Sequence, residues 1–350
     1  MRRLLIGVLL SSASLAEPAA WNAQGHRLIT LLALDALTGD APAWLREPAV
    51  QERVAFQSGE LDRWRGWPAL ALRHLNEPDH FLDIDRLGAY GLTLETMPRL
   101  RREFLRVMVL AGRSHPERMR PYSPRKDPAR THQWPGFLAH AVSEQYGFLQ
   151  ATLHETLILE ARRDPRESMQ LTQSRANTIY HLGMLSHLVG DAAQPLHTTR
   201  HHHGWSGVNP RHYTRAHTFH AYVDGTLAGV HHVTAAQVRP RMKPIRSVNP
   251  DDPWDALLAF LRRSFQEVEP LYRMERDGTL EVAPGREFMI DRLADAASML
   301  AALIRGASTS ARPTPEQIRS WPAPPDTRPR GRKTAPGPGA VREEKIPAPE

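Results

Sequence analysis

Apolar residues recur at helical spacing along most of the chain, and this pattern decides the fold class. Six segments carry apolar residues at positions i, i+3 and i+4: residues 27–37, 100–111, 137–162, 168–189, 253–268 and 286–304. They are rich in Ala, Leu, Glu, Arg and Met, which favour helix, whereas strand-like alternation of Val, Ile and Thr is nearly absent. We therefore predict an all-α fold with a single helical domain over residues 21–308. Polar, Pro- and Gly-containing stretches at 114–134 and 197–212 predict long loops.

The first residues have the pattern of a secretory signal peptide. Arg2 and Arg3 precede an apolar run over residues 4–10, which is too short to span a bilayer, and small residues follow. We predict a signal peptide over residues 1–20, cut after Ala16 or Ala20, and hence an exported protein, periplasmic or secreted. No later segment is long and apolar enough to be a transmembrane helix.

The C-terminal end is rich in proline and arginine. Residues 313–350 contain ten of the chain's 30 prolines and few apolar residues. Proline fixes φ and removes a backbone donor. The few apolar residues would offset only a small part of the entropy that the segment loses on ordering. We predict a disordered tail over residues 309–350.

The residue types present restrict the chemistry. The chain has no cysteine, which excludes disulfides, thiolate nucleophiles and thiolate metal ligands. Any metal ion must be bound by imidazole and carboxylate, and 18 histidines are available. Most of the formal net charge of +7 comes from Arg2, Arg3 and residues 312–350, so the charge of the body is weak evidence for nucleic-acid binding.

One segment concentrates metal-binding residue types. In residues 180–197, YHLGMLSHLVGDAAQPLH, His187 and Asp191 lie four positions apart, so both side chains leave the same face of the predicted helix. Their neighbours are mostly apolar, and an unpartnered buried carboxylate is costly, whereas one metal ion would satisfy both groups. Gln194-Pro195 ends the helix and His197 follows. The alternative is an ion pair on the helix surface.

Other groups are less informative when taken alone. His220 and Asp224 repeat the four-residue spacing within residues 216–224 and fit a surface ion pair equally well. Asp62, three residues before Arg65, would fit a helix cap, and His80 a loop residue. The run His201–His203 is expected to be an exposed loop that chelates metal non-specifically or not at all.

Taken in order, the motifs resemble a known family. Trp-x4-His, Asp-x2-Arg, His-Phe-x-Asp and His-x3-Asp-x5-His-x22-His-x3-Asp are similar to the motifs of the zinc-dependent superfamily of single-strand-specific nucleases and bacterial phospholipases C. The short spacing from Trp21 to His26, the long gap from His197 to His220, and Asp224 as the last ligand resemble the nuclease branch. Phospholipases typically carry Glu at that last position.

The resemblance implies three Zn²⁺ ions per chain and the residues that bind them. The nine implied ligands are Trp21, His26, Asp62, His80, His187, Asp191, His197, His220 and Asp224. The first ion would be bound by Asp62, His80, His187 and Asp191. Asp191 would bridge to a second ion, bound by His26 and by the amine and carbonyl of Trp21 as the mature N-terminus. The third would be bound by His197, His220 and Asp224. A cut after Ala16 would leave residues 17–20 before Trp21 and prevent the amine from binding.

The same resemblance implies a function. Asp62, Arg65 and Asp191 would act in catalysis, with Arg65 near the scissile phosphate, and Phe81 and Asp83 would stack on and hydrogen-bond a base, although simple packing explains Phe81 equally well. Two zinc ions that share a water lower its pKa towards about 7 and supply hydroxide for phosphodiester hydrolysis. We expect an exported nuclease that cleaves single-stranded DNA or RNA to 5′-phosphates and extends to 3′-nucleotides, with no stable protein partner.

Two alternatives remain open. A phospholipase C would use the same cluster on lipid and would need an exposed apolar rim. A non-catalytic zinc-binding protein would keep the ligands without activating water.

Overall fold

The computed structural model describes residues 23–39, 41–243 and 248–322. The predicted signal peptide, the proposed ligand Trp21 and most of the predicted tail therefore lie outside the described residues. Within them the fold is built from helices, which run as follows: α1 Ala23–Asp35, α2 Pro48–Gln57, α3 Glu60–Arg65, α4 Leu70–Asn76, α5 Arg101–Ser114, α6 Leu138–Arg162, α7 Ser168–Ala193, α8 Phe219–Ala221, α9 Leu227–His231, α10 Ala235–Val238, α11 Trp254–Gln266, α12 Val268–Arg276, α13 Ala283–Ser310 and α14 Pro315–Ser320.

The all-α prediction is confirmed. Each of the six predicted segments forms a helix at nearly the predicted bounds. Among the described residues no sheet forms, and the one strand-like feature is an isolated antiparallel bridge between Leu82 and Gly136. The short helices α2, α3, α4 and α12 were not predicted, because segments of one or two turns show too few periods for a reliable pattern.

The long helix α7 lies at the centre of the molecule. It packs against α6, α13, α2 and α1. Its second half, from Leu182 to Ala193, is buried on all sides, so the polar face of an amphipathic helix is absent there. Polar residues in this half must therefore find partners inside the protein. Ser186 does so by sharing a hydrogen bond of 2.5 Å with Thr30 of α1.

Two further helical segments carry site residues. A 3₁₀ turn at Glu77–His80 follows α4 directly, and another at Pro195–Thr198 follows α7. The chain after α8 continues as a π-helical segment over Tyr222–Thr226, which carries Asp224. Segments of this kind are frequent at functional sites.

The predicted start of the tail is wrong. α13 continues to Ser310, and α14 follows after a short connection. Thr314 and Gln317 form a capping box at the start of α14, with Pro315 in its first turn, a position that proline favours. Arg162 Nη1 donates to the Trp321 carbonyl at 2.7 Å and so attaches this segment to α6. Proline content at residues 313–322 therefore marked a helix start rather than disorder.

None of the helices in the described part of the chain is both long enough and apolar enough to cross a membrane.

Candidate metal centre

The structure brings eight of the nine predicted ligands together; the ninth, Trp21, lies outside the described residues. They come from separate parts of the chain: His26 from α1, Asp62 from α3, His80 from the turn after α4, His187 and Asp191 from α7, His197 from the turn after α7, and His220 and Asp224 from α8 and the π-helical segment. These residues form three groups, and within each group the ligand atoms lie within 4.8 Å of one another. The groups are His26, Asp62 and His187; His80, His187 and Asp191; and His197, His220 and Asp224.

Asp191 is the common partner of the first two groups. Its Oδ2 lies 2.9 Å from His80 Nδ1 and 3.3 Å from His187 Nε2, and its Oδ1 lies 3.4 Å from His26 Nε2. Asp62 approaches from the solvent side, with Oδ1 4.0 Å from His80 Nδ1. The carboxylate of Asp191 is almost fully buried, whereas that of Asp62 is one-third exposed. The cluster therefore opens to solvent on the side of Asp62.

The third group lies beside the first two. His220 Nε2 is 2.8 Å from Asp224 Oδ2 and 3.0 Å from His197 Nε2. The other oxygen of Asp224 accepts a hydrogen bond of 2.7 Å from Gln194 Nε2. Gln194 thereby leaves one carboxylate oxygen of Asp224 directed at the two imidazoles.

Backbone carbonyls orient two of the imidazoles. His187 Nδ1 donates to the Ser58 carbonyl at 2.8 Å, and His197 Nδ1 donates to the His80 carbonyl at 2.6 Å. In the neutral ring this leaves the lone pair on Nε2, which in both residues points at the other ligand atoms. Metal-binding histidines are typically held in this way.

His26 offers a buried imidazole that a metal ion would satisfy. It is fully buried on α1, and neither ring nitrogen has a hydrogen-bond partner among the described residues. An unsatisfied buried donor costs about 1–3 kcal/mol. The helix α7 approaches so closely that a Cβ on Gly190 would lie 2.5 Å from His26 Nδ1. The packing thus holds an unsatisfied imidazole against Asp191, and the donor set fits a borderline metal ion such as Zn²⁺.

The electrostatics of the cluster favour a bound cation. Burial alone would raise the pKa of Asp191, but the charges of His197 and His187 hold it well below its usual range. Burial lowers the pKa of His80 to about 4, despite the neighbouring Asp191. At neutral pH Asp191 is therefore ionised and His80 is neutral, which are the forms that bind metal ions. Burial alone would lower the pKa of His197, but Asp191 and Asp224 raise it to about 9, so a metal ion that binds there would displace a proton.

Arg65 stands at the open side of the cluster. Its side chain is 53% exposed, and Nη1 lies 3.4 Å from Asp62 Oδ1. This is the position in which a guanidinium can meet an anion that approaches the cluster from solvent.

Phe81 lies in a group of aromatic rings next to the cluster. Its ring stacks on His132 at 5.5 Å and lies 6.3 Å from the ring of His202, which is itself 6.3 Å from the ligand His220. Gly136 has φ of 98°, and a Cβ there would lie 2.1 Å from the Phe81 carbonyl, so only glycine permits this approach.

Asp83 is more buried than a base-binding carboxylate would be expected to be. Oδ2 accepts a hydrogen bond of 3.1 Å from Arg86, and Oδ1 is buried with no hydrogen-bond partner among the described residues, 4.0 Å from His202 Nδ1. Burial raises the pKa of Asp83 to about 7, although Arg86 opposes the shift. The carboxyl therefore takes part in a buried network rather than facing open solvent.

Histidines outside the predicted ligand set are placed as follows. His74, which is close to His80 in sequence, contacts the Ala129 carbonyl through Nδ1 at 2.7 Å and belongs to none of the three ligand groups. The expectation that residues 201–203 are exposed is wrong for His201, whose ring is buried against Trp205 at 4.0 Å. Local composition could not reveal this, because Trp205 covers the ring through a turn of the loop.

Sequence reasoning missed several residues that support the site. Ser58, Asn76 and Gln194 hold His187, His80 and Asp224 in place, with the Asn76 amide 3.3 Å from His80 Nε2. Gln194 carried a detectable signal, since it lies inside the His-x3-Asp-x5-His string. Ser58 and Asn76 carried none, because they reach the ligands only through tertiary folding.

The comparisons made with family models, with curated protein sequences and with solved structures give no match to this chain.

Proposed function

We propose that the protein is an exported zinc-dependent phosphodiesterase that hydrolyses single-stranded DNA or RNA to 5′-phosphate products, with 3′-nucleotides as further substrates. The observation that carries the proposal is the convergence of His26, His80 and His187 on the buried carboxylate of Asp191, with a second group of imidazole and carboxylate ligands beside it. The geometry supports several metal ions close together, and zinc is the ion that this donor set suits best.

The ligand residues have distinct tasks in this proposal. As the resemblance implies, one zinc would be held by Asp62, His80, His187 and Asp191, a second by His26 with Asp191 and the N-terminus at Trp21, and a third by His197, His220 and Asp224. The described ligand atoms group His80 with His187 and Asp191, His26 with Asp62 and His187, and His197 with His220 and Asp224. When bound, the ions supply an activated water and Lewis acids for the phosphate oxygens. Ser58 and Gln194 keep His187 and Asp224 in the orientation that binding needs.

The residues around the cluster suit a nucleotide. The exposed guanidinium of Arg65 attracts the anionic phosphodiester to the open side of the cluster. The half-buried ring of Phe81, together with the stacked ring of His132, would provide an aromatic surface for an unpaired base, and base–aromatic stacking contributes about 1–3 kcal/mol per base. Paired bases in a duplex cannot present their faces in this way, which favours single strands.

The test is cleavage of a single-stranded oligonucleotide by zinc-loaded protein that begins at Trp21, with and without chelator. The same sequence as a duplex is the matched substrate control. Chelator-sensitive cleavage of the single strand to 5′-phosphate ends, with slower cleavage of the duplex, is expected. Protein that begins at Glu17 tests the N-terminal ligand, because its amine is displaced from Trp21.

Each other outcome contradicts the proposal in a different way. Bound zinc without cleavage of any phosphodiester would favour a non-catalytic zinc-binding protein. Absence of both zinc and cleavage would remove the metal centre itself.

One observation favours phospholipase C as a second candidate. A cleft of 790 Å³ adjoins α3, α4 and α6, and its lining includes Leu75, Leu100 and Phe148, which are 64%, 63% and 52% exposed. Leu61 and Leu188, next in sequence to Asp62 and His187, line its floor. An exposed apolar surface of this kind suits acyl chains. Hydrolysis of short-chain phosphatidylcholine, compared with that of the oligonucleotide, decides between the two substrates.

A further inference from the structure

The loop over residues 114–134 forms a basic surface next to Phe81. Two adjoining clefts of 340 and 280 Å³ share Arg86 and Arg120 in their lining. The first also contains Lys126 and His132, and the second contains Arg118 and Arg200. His132 connects this surface to the candidate site, because its ring lines the first cleft and stacks on Phe81.

The two carboxylates of these clefts are already occupied. Asp127 accepts hydrogen bonds from the Thr131 and His132 backbone amides and from the Tyr122 hydroxyl, at 2.9–3.1 Å. Asp85 accepts from Thr199 Oγ1 at 2.7 Å and from the Arg200 amide at 3.0 Å. Both acids therefore stabilise the loops, and Asp85 also lies 3.9 Å from Arg200.

Two of the cations have no carboxylate partner. Arg86 is bound to Asp83, Arg118 lies 3.6 Å from Glu117, and Arg200 lies 3.9 Å from Asp85. Arg120 and Lys126 are exposed, and neither forms an ion pair within the part of the chain that the structure describes. Uncompensated cations in a concave surface attract anions.

The loop is held in one conformation before any ligand binds. Besides the bonds to Asp127, Arg86 donates to the Trp134 and Gln133 carbonyls, and His74 contacts the Ala129 carbonyl. Arg130 has φ of 58°, in the left-handed region, which the surrounding bonds maintain. A preorganised cleft loses less entropy when it binds a ligand than a flexible loop would.

We propose that Arg120 and Lys126 bind backbone phosphates of the nucleic-acid strand beyond the base at Phe81, so that the enzyme acts on chains in preference to single nucleotides. The inference rests on the proposed function, since it assigns the remainder of the same substrate. The ring of His202 lies 6.3 Å from that of the ligand His220, and the rings of Phe81 and His132 lie 6.3 and 6.0 Å from that of His202. His132 also lines the first basic cleft, so a strand that starts at the cluster would pass these rings to reach the clefts.

The test compares the double variant Arg120→Ala/Lys126→Ala with Arg125→Ala, an exposed cation of the same loop that lines neither cleft. Binding of a fluorescent single-stranded oligonucleotide with phosphorothioate linkages is followed by anisotropy at several salt concentrations. We expect the double variant to bind the oligonucleotide about fivefold more weakly for each lost phosphate contact near about 0.1 M salt. The slope of log affinity against log salt concentration should be shallower by about 0.7 for each contact. Arg125→Ala should match the wild type.

Hydrolysis of bis(p-nitrophenyl) phosphate separates this proposal from the proposed function. Unchanged turnover of this small diester by the double variant, with a raised KM for the oligonucleotide, is expected. Equal oligonucleotide binding by the double variant and Arg125→Ala would overturn the cleft proposal and leave the phosphodiesterase intact. Weakened binding together with no hydrolysis by any zinc-loaded form would support strand binding and overturn the phosphodiesterase.

Discussion

His80 Nδ1 and Asp191 Oδ2 lie 2.9 Å apart, although 111 residues separate them in the chain. Both side chains are at least 96% buried, so the contact exchanges little with water. In such surroundings the loss of one partner leaves the other charged or polar group without compensation, at a cost of several kcal/mol. The pair is therefore expected to couple the stability of the interior to any metal ion that binds at the candidate centre.

Asp191→Asn is expected to abolish metal binding at the first two groups while the helices remain. The substitution keeps the size of the side chain but removes the charge that three imidazoles surround. We expect zinc content to fall and phosphodiester hydrolysis to drop by about 100-fold or more. Metal analysis and turnover measure these changes, and circular dichroism checks the fold. Asp255→Asn, at a side chain that is 87% exposed, is the control. Near-normal turnover in Asp191→Asn would contradict the cluster.

Zinc should stabilise the protein strongly, and chelator should reverse the effect. Binding to the folded state alone adds about 4 kcal/mol to the free energy of unfolding when free zinc is about 1,000 times its Kd. Thermal unfolding with zinc, with magnesium and with chelator measures the shift. Magnesium should have little effect, because it prefers oxygen ligands to imidazole. Equal melting temperatures in all three conditions would argue against a metal centre.

Gly190→Ala should destabilise the protein and weaken metal binding. The new Cβ would lie 2.5 Å from His26 Nδ1, so the imidazole or α1 must move, and overpacking of this kind costs about 1–3 kcal/mol. Gly147→Ala is the matched control, because it is also within a long helix but its Cβ meets nothing within 4 Å. That substitution should stabilise by up to about 1 kcal/mol through helix propensity. Denaturant unfolding measures the stability of both variants. Equal stability of Gly190→Ala and Gly147→Ala would refute the packing argument.

His140 should make part of the stability depend on pH, away from the metal centre. It is buried against Phe104, its Nε2 donates to the Pro98 carbonyl at 2.9 Å, and burial lowers its pKa to about 4. As the pH falls, the unfolded chain takes up this proton first, so stability is full above about pH 6.5 and is lost towards about pH 4. The loss would be roughly 3 kcal/mol at most.

His140→Gln tests this dependence. The amide can still donate to Pro98 but does not titrate, so the free energy of unfolding should fall less steeply between these pH values than in the wild type. The difference between the two proteins isolates His140 from the histidines of the cluster. Parallel pH profiles would show that His140 does not carry the effect.

Site residues that are close together in the sequence could be predicted, because the geometry of a single helix or turn places them. His187 and Asp191 were predictable as a pair, because four residues on a helix determine a shared face. Gln194-Pro195 also ends α7 as predicted, which brings His197 to the site. The sequence predicted the long helices for the same reason, since their periodicity extends over several turns.

Contacts between distant segments could not be predicted from spacing. Nothing in the sequence places His132 on Phe81, or shows that Asp83 is buried beside Arg86. The loop over residues 114–134 appeared only polar and proline-rich, yet Asp127 organises it through hydrogen bonds to its own backbone. Such arrangements depend on tertiary packing, and one local sequence pattern is compatible with many tertiary contacts.

The distribution of ligands along the chain gives metal binding a mechanical role. His26, His80 and His187 are far apart in sequence and meet at one carboxylate, so a bound ion would close loops of many tens of residues at once. A chain without cysteine cannot make such cross-links with disulfides. Coordination would take the place that disulfides hold in other proteins, as a cross-link that contains no reducible bond and that a chelator can undo.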